Sequence, residues 1–396
     1  MKILYHHRIA SKDGQNVHIE EIVNAMRGLG HEVRVVAPAQ SESQEFGASV
    51  GWVDRLKAAL PKAVYEVLEM GYSVLAYVRL ARAIREFRPD AIYERYSLFF
   101  FAGIWAKWRF KLPFILEVNG PLAEERTRYD GLALKSVGLW AQRHVWRSAD
   151  FVLPVTHVLA GMVQSAGVAP ERIAVIANGI NEAHFQTAPT SETAKAALGL
   201  AGQVVLGFTG FVKDWHGIDR VIRWMAGAGR EGVHLLVAGD GPARTGLEAL
   251  ADELGVRGRV TFTGLVQRDA IPQLIAAFDI ALQPAVVPWA SPLKLFEYLA
   301  LGRAVLAPRE PNLLEVLADG DNALLFDAAR PGDFEAALDR LCRDGDLRRS
   351  LGEGARRSVG VRGFTWRRNA ERIVELFQRC PAFPAGRGQR ATAGEG

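Results

Sequence analysis

The chain has 396 residues, 49% hydrophobic and 23% charged, with a formal net charge of +4. That length is too great for one typical domain and fits two, and the composition is that of a soluble globular protein. The modest positive charge suits anionic substrates or an anionic membrane surface. There is no zinc-finger spacing and no RNP-like aromatic pattern, and the basic tail around Arg387 and Arg390 is short, so nucleic acid is not an expected partner. Cys342 and Cys380, the two cysteines, offer neither a disulfide framework nor metal spacing, which favours a reducing compartment. The start, Met1 to Arg8, is too short and polar for a signal peptide. The uncharged stretch Phe151 to Pro170 is broken by Pro154, His157, Gly161, Gln164 and Gly167, so it reads as strand plus helix. A cytoplasmic protein is expected.

The elements alternate strand and helix throughout, which predicts an α/β protein with parallel sheets. In chain order the predicted strands of the first half are 2–5, 33–37, 91–93, 114–118, 151–155 and 173–176, with a first helix over 17–29. Asn178-Gly179-Ile180 is a turn signal, and the polar, Ala-rich stretch 181–200 reads as an interdomain connection. The second half repeats the pattern, with strands at 204–209, 234–238, 260–262, 280–283 and 304–307 and a helix at 218–225. The expected divisions are therefore a first domain over 1–180, a second over 201–363, a last helix within 364–380 and a disordered Pro/Gly/Ala-rich tail over 381–396.

The segment from Ser291 to Gly302 carries the most chemistry. Ser291 is expected to cap a short helix, with Pro292 at its first position and Gly302 as the left-handed residue beyond its end. Such a helix start attracts anions through its outward N–H groups, here those around Ser291 to Leu293, and its dipole. Lys294 adds a positive charge in the first turn, and Glu297 stands one turn on, where a carboxylate can accept both hydrogen bonds of a vicinal diol. Phosphate at the tip with a diol beside it describes a nucleotide.

Other strand ends carry related loops. Gly14 lies between the first strand and helix, where it lets backbone approach a ligand, and His18 follows in the first turn. Gly210 ends a strand before Phe211-Val-Lys213-Asp-Trp215-His216-Gly217. Gly239-Asp240-Gly241-Pro242 and Gly264-Leu265 follow two more strands. Glu117 and Asn119 stand at the end of another.

Ser-Pro-Leu-Lys-Leu-Phe-Glu-Tyr-Leu-Ala resembles the donor-site helix of the family 4 retaining glycosyltransferases, also described as glycosyl transferases group 1. The Gly-Asp-Gly-Pro turn and both Gly loops extend the resemblance over nearly the whole chain. It implies a GT-B fold: two Rossmann-like parallel-sheet domains facing a cleft, with the C-terminal helix crossing back to the first domain. It implies transfer of a hexose-type sugar from a nucleotide-diphosphate donor, with no metal and no cofactor. The donor contacts carried over are Gly14, Gly210, Lys213, His216, Gly239, Gly264, Leu265, Ser291, Pro292, Leu293, Lys294, Leu295 and Glu297. Lys213, His216 and Lys294 are expected to stabilise the leaving diphosphate, and Glu297 to anchor the ribose. His18, Glu117 and Asn119 are the acceptor-side candidates, Asn119 also counting with Lys213, His216 and Glu297 among the catalytic ones. No residue is an obvious nucleophile, in keeping with the family's front-face mechanism.

The chain departs from the family pattern in four places. Gly-Gln replaces Gly-Gly in the first loop, Phe211 and His216 stand where an Arg and a Lys are usual, and Asn119 replaces a histidine. Trp289 replaces the first glutamate of the Glu-x7-Glu pattern, and either stacks on a sugar ring or packs. These departures keep two rivals in view, a nucleotide-sugar epimerase and a non-catalytic nucleotide-sugar-binding protein. The Trp-His-Gly and Glu-Val-Asn-Gly-Pro wording resembles bacterial polysaccharide-type enzymes, implying a saccharide or lipid-linked acceptor. Arg79, Arg82, Arg85 and Arg88, beside Leu75, Val78, Leu80 and Ile84, and the aromatic run Phe99 to Lys111 point to contact with an anionic membrane, such as the inner face of the cell membrane.

Overall fold

The computed structural model describes residues 1–9, 14–38 and 60–383. The chain separates into two compact units, 1–177 with 366–396, and 178–365.

In the first unit five parallel strands lie in the order β2-β1-β3-β4-β5. They are β1 (Lys2–His6), β2 (Glu32–Val36), β3 (Ala91–Arg95), β4 (Phe114–Val118) and β5 (Phe151–Pro154). The buried runs of β3, β4 and β5 are what a sheet covered on both faces requires. Helices α1 (Gly14–Gly28), α2 (Lys62–Phe87), α3 (Ala102–Phe110), α4 (Leu122–Glu125) and α5 (Lys135–Ser148) fill the crossovers, and α6 (His157–Ser165) follows β5. The segment 173–176 is not a strand. It makes one isolated bridge, Ile173 to Val152, and its Ala174 and Ile176 amides donate to the carbonyls of Val152 and Pro154. The edge of β5 thus holds it without a continued ladder.

In the second unit six parallel strands lie in the order β11-β10-β9-β6-β7-β8. They are β6 (Val204–Thr209), β7 (Val233–Ala238), β8 (Val260–Phe262), β9 (Ile280–Leu282), β10 (Ala304–Pro308) and β11 (Ala323–Phe326). β11 was not expected from sequence; it is a four-residue apolar run set just after the turn at Gly320. The stretch 181–200, expected as an interdomain connection, instead forms α7 (Glu182–Phe185) and α8 (Ser191–Ala197) and groups with the second unit. Thr190 caps α8 by accepting from the Thr193 amide. The remaining helices are α9 (Ile218–Met225), α10 (Arg244–Glu253), α11 (Ile271–Ala276), α12 (Leu293–Ala300), α13 (Pro311–Leu314), α14 (Asp333–Arg343) and α15 (Gly345–Arg362).

The last helix, α16 (Trp366–Gln378), belongs to the first unit. Trp366 meets His18 of α1 edge-on at 4.8 Å. Asn369 Nδ2 donates to the Ala177 carbonyl at 2.7 Å, and Arg372 to that of Val175 at 2.9 Å. The chain thus returns to the fold that its first residues built. Of the expected tail, 384–396 lie outside the described residues.

In open parallel sheets ligands bind beyond the C-terminal strand ends, where the strand order reverses. In the second unit that point falls between β6 and β9, and in the first between β1 and β3.

Candidate active site

The loops after β6 and β9 open at the reversal point of the second unit. Gly210 follows β6 with φ +118°, and its amide donates to the Ala238 carbonyl at the end of β7. A Cβ on Gly239 would lie 2.0 Å from the Gly210 carbonyl oxygen, and one on Gly241 2.2 Å from that of Val212. The Gly-Asp-Gly-Pro turn is therefore glycine-rich because two backbones touch there. Asp240 holds the turn, accepting from the Gly241 amide at 2.8 Å and from Arg244 at 3.3 Å. Gly264 has φ +72° and adjoins the Asp240 carboxylate, and Leu265 beside it is 54% exposed.

Lys294 lies over this loop from the first turn of α12. Its Nζ is 3.5 Å from the centroid of the Phe208 ring and 3.5 Å from where a Cβ on Gly210 would stand. A Cβ at 210 would meet the lysine in ordinary van der Waals contact, so it is the positive φ that calls for glycine there. Among the described residues Lys294 makes no hydrogen bond or ion pair. Burial pushes its ammonium down to about 7, against the opposing pull of Glu297. Glu297 is half-buried, one turn further along the same helix.

His216 joins the cluster, its ring 5.2 Å from Phe208. Burial first, then Lys294 and Lys213, hold it down at about 3. Its Nδ1 accepts from the Lys213 amide at 3.2 Å, so in the neutral ring Nε2 carries the proton. His216, which stands where the family usually has a lysine, is therefore a neutral hydrogen-bond donor. Lys213 supplies the charge, with its Nζ 4.5 Å from the Trp215 ring and 5.7 Å from Phe211. Both rings are about half exposed, and this aromatic clamp was not read from the sequence. Its signal was present in the aromatic residues two positions either side of Lys213.

The start of α12 differs from expectation. Pro292 is the cap residue and no side chain caps the helix. Ser291 points instead at Asn178, its Oγ accepting from that residue's amide and its carbonyl from Nδ2 at 2.5 Å. The Leu293 and Lys294 amides have no acceptor among the described residues. The Leu295 amide donates to the Pro292 carbonyl and its side chain is fully buried, so Leu295 does not offer a free group. Trp289 is 8% exposed, so it packs and is not a platform for a sugar. Asn312 holds the same loop, donating to the carbonyls of Val287 and Ala290. Sequence reading found neither Asn178 nor Asn312 as a loop anchor, because their partners are distant in the chain.

In the first unit His18, Glu117 and Asn119 come together around one carboxylate. Glu117 is 2% exposed and takes Arg95 at 2.5 Å, Asn119 Nδ2 at 2.5 Å, His18 Nε2 at 2.9 Å and Tyr93 at 3.1 Å. The Tyr5 hydroxyl adds a long contact at 3.4 Å. Burial would raise this carboxyl, but His18 and Arg95 hold it well below the usual carboxylate range. Burial and Glu117 in turn raise the Tyr5 and Tyr93 hydroxyls far above theirs. Expected on the acceptor side, Glu117 is instead a buried hub that orients His18 and the half-buried Asn119. Gly14 opens α1 as expected; Asp13 before it lies outside the described residues.

The comparisons agree with this architecture. The family described as "Glycosyl transferase 4-like domain" matches residues 13–179, and "Glycosyl transferases group 1" matches residues 191–358. An alpha-D-kanosaminyltransferase of Streptomyces kanamyceticus is 26% identical over 62% of this chain, which spans 65% of that relative's length. The lipopolysaccharide core biosynthesis glycosyltransferase LpsD of Rhizobium meliloti is 24% identical over 96% of this chain and 98% of its own. Among solved structures, Anabaena HepE in complex with UDP superposes with a TM-score of 0.76 at 18% identity, covering 96% of this chain and 100% of that one. With two Rossmann-like parallel-sheet units and both family matches along its length, the chain belongs to the GT-B glycosyltransferases of group 1.

Proposed function

We propose that this glycosyltransferase is a retaining, metal-independent enzyme that moves a hexose-type sugar from a nucleotide-diphosphate donor to a saccharide or lipid-linked acceptor. The proposed role is surface polysaccharide, exopolysaccharide or glycoconjugate synthesis, in the cytoplasm and in contact with the anionic inner face of the membrane. The observation that carries the reading is Lys294: a cation held over Phe208 and Gly210 with no hydrogen bond or ion pair among the described residues, at the strand reversal of the second unit. Such a group meets its electrostatic need in a bound anion. HepE is solved in complex with UDP and with UDP-glucose, and LpsD is a lipopolysaccharide core biosynthesis glycosyltransferase, which is consistent with donor and acceptor of these classes.

In this reading the diphosphate lies against the amides of Leu293 and Lys294, with Lys213, Lys294 and the Nε2–H of His216 around it. Glu297 accepts from the ribose hydroxyls, and the backbone around Gly264 and Leu265 meets the base. The donor's C1–O bond breaks as the acceptor oxygen bonds to C1 on the same face. The acceptor proton passes to the leaving diphosphate. Lys213 and Lys294 stabilise the charge that develops there. Asn119 and His18, fixed by Glu117, are the acceptor-side groups.

The test is calorimetric titration with UDP, GDP, ADP and TDP, with and without Mg²⁺, on the parent and on Glu297→Ala. Micromolar binding of one nucleotide without metal, weakened about tenfold or more in the variant, supports the reading, since two charge-assisted bonds are lost. Equal affinity in a folded variant removes Glu297 from the ribose. Donor conversion without acceptor, or binding without turnover by any acceptor, overturns the transferase mechanism.

A further inference from the structure

Helix α2 keeps an apolar stripe on its outer face. An ordinary surface helix turns its apolar stripe inward and its polar face to water. Here Val64, Val67, Leu68, Val74, Leu75 and Val78 are each 46–61% exposed and recur at the spacing of a single helix face. The polar residues Glu66 and Ser73 are buried instead. Glu66 accepts from the Ala133 and Leu134 amides at 2.9 and 2.7 Å, while Ser73 donates to the Phe99 carbonyl and accepts from the Phe101 amide. The inward face joins these hydrogen bonds to the buried Ala76, Leu80, Ala81, Ala83 and Ile84, which leaves the outer stripe as a second apolar face. Such a continuous apolar stripe marks an interaction surface.

The balance of charge around the stripe is positive. Lys62 precedes it, and Arg79 and Arg85 follow it, all exposed, while the exposed Arg82 is shared with Glu86. The helix's other carboxylates are matched: Glu69 pairs with Arg8 and Arg126, and Glu86 with Arg34 and Arg82. An aromatic ridge adjoins the helix. Tyr77 of α2 meets Trp105 at 6.0 Å, Phe101 links Trp105 to Trp140, and His144 links Trp140 to Trp108. Trp108 and Trp140 are 54% and 56% exposed. Tryptophans beside an apolar stripe with a basic rim match the chemistry of a lipid interface, where the stripe enters the acyl boundary and the cations meet phosphate. A second copy of this chain fits less well, because a two-fold contact would oppose the same basic ends.

We infer that the exposed face of α2, with the Trp108–Trp140 ridge, docks the first unit on an anionic bilayer. The inference rests on the membrane contact proposed above and assigns its surface. It corrects the sequence expectation for the face, since Leu80 and Ile84, placed there from the pattern, are buried.

The test is flotation of the full chain with vesicles of phosphatidylcholine and phosphatidylglycerol (3:1), and of phosphatidylcholine alone, in low and high salt. The expected result is binding to the anionic vesicles that falls severalfold in high salt. The double variant Leu75→Gln, Val78→Gln is expected to lose about tenfold or more in partitioning, as two exposed aliphatic side chains no longer enter the interface. UDP titration of that variant should match the parent, so a failed donor site and a failed docking face are read separately. No binding to anionic vesicles, or unchanged binding by the folded variant, overturns the inference. So does a concentration-dependent dimer that the variant dissolves without change in flotation, since it assigns the face to a second copy.

Discussion

Lys294 offers a sharp quantitative test of the donor site. Its ammonium is pushed down to about 7 by burial, while His216 beside it stays neutral until about 3. If the protonated lysine is the form that binds diphosphate, affinity tracks its population. From pH 7 to pH 9 that population falls from half to one in a hundred, so the Kd for nucleoside diphosphate rises by up to about fiftyfold. The rise levels off at the affinity of Lys294→Gln. A charge-assisted bond to phosphate is worth roughly 1.5–3 kcal/mol, which sets that variant about ten- to a hundredfold weaker than the parent at pH 7. Calorimetry at pH 7, 8 and 9 reads both quantities. The nucleotide's terminal phosphate is largely ionised across this range, and the variant reports whatever pH dependence other groups contribute. A flat parental profile, or a folded Lys294→Gln that binds as tightly as the parent, would refute the argument.

Two further perturbations test the frames that hold the site. Glu117 has a folded pKa below its unfolded value, so its contribution is fully present above the ordinary carboxylate value of about 4.3 and is lost as pH falls through the folded one. Glu117→Gln leaves Arg95 buried and unpaired, and is expected to cost about 3–5 kcal/mol in guanidinium unfolding and to flatten the loss of stability below about pH 4. A cost under about 1 kcal/mol would show that Glu117 is not the hub described. Gly239→Ala places a Cβ 2.0 Å from the Gly210 oxygen at φ +155°, so thermal unfolding is expected several degrees lower with nucleotide binding weakened. Gly246→Ala, on α10 with open space around it, serves as the control and is expected to be neutral or slightly stabilising.

Much of the fold was legible because its cues are local. Alternating apolar runs and amphipathic stretches specified ten of the strands and the parallel architecture, since each strand's burial and each crossover's length are written in consecutive residues. Gly302 past α12, at φ +62°, and the glycines of the β6 and β7 loops were legible for the same reason. The strand over 173–176 was overcalled because an apolar run does not reveal whether a ladder continues, and β11 was missed because four residues carry little signal.

What the tertiary structure decided is which partner each chemical group meets. Nothing near Ser291 says that Asn178, distant in the chain, takes the hydroxyl that would otherwise cap α12. Nothing near Trp289 fixes whether it packs or faces a ligand, and its burial is set by the surrounding fold. Helix α2 is apolar on several sides, so periodicity alone could not tell which side the sheet would cover. The side covered is the one where Glu66 accepts from two amides, Ser73 donates to a carbonyl, and Leu80 and Ile84 are buried. Sequence determines the local elements and the chemical groups available. Only the folded chain sets the burial, and burial turns Lys294 into a titratable cation, His216 into a neutral donor and Glu117 into a buried anchor.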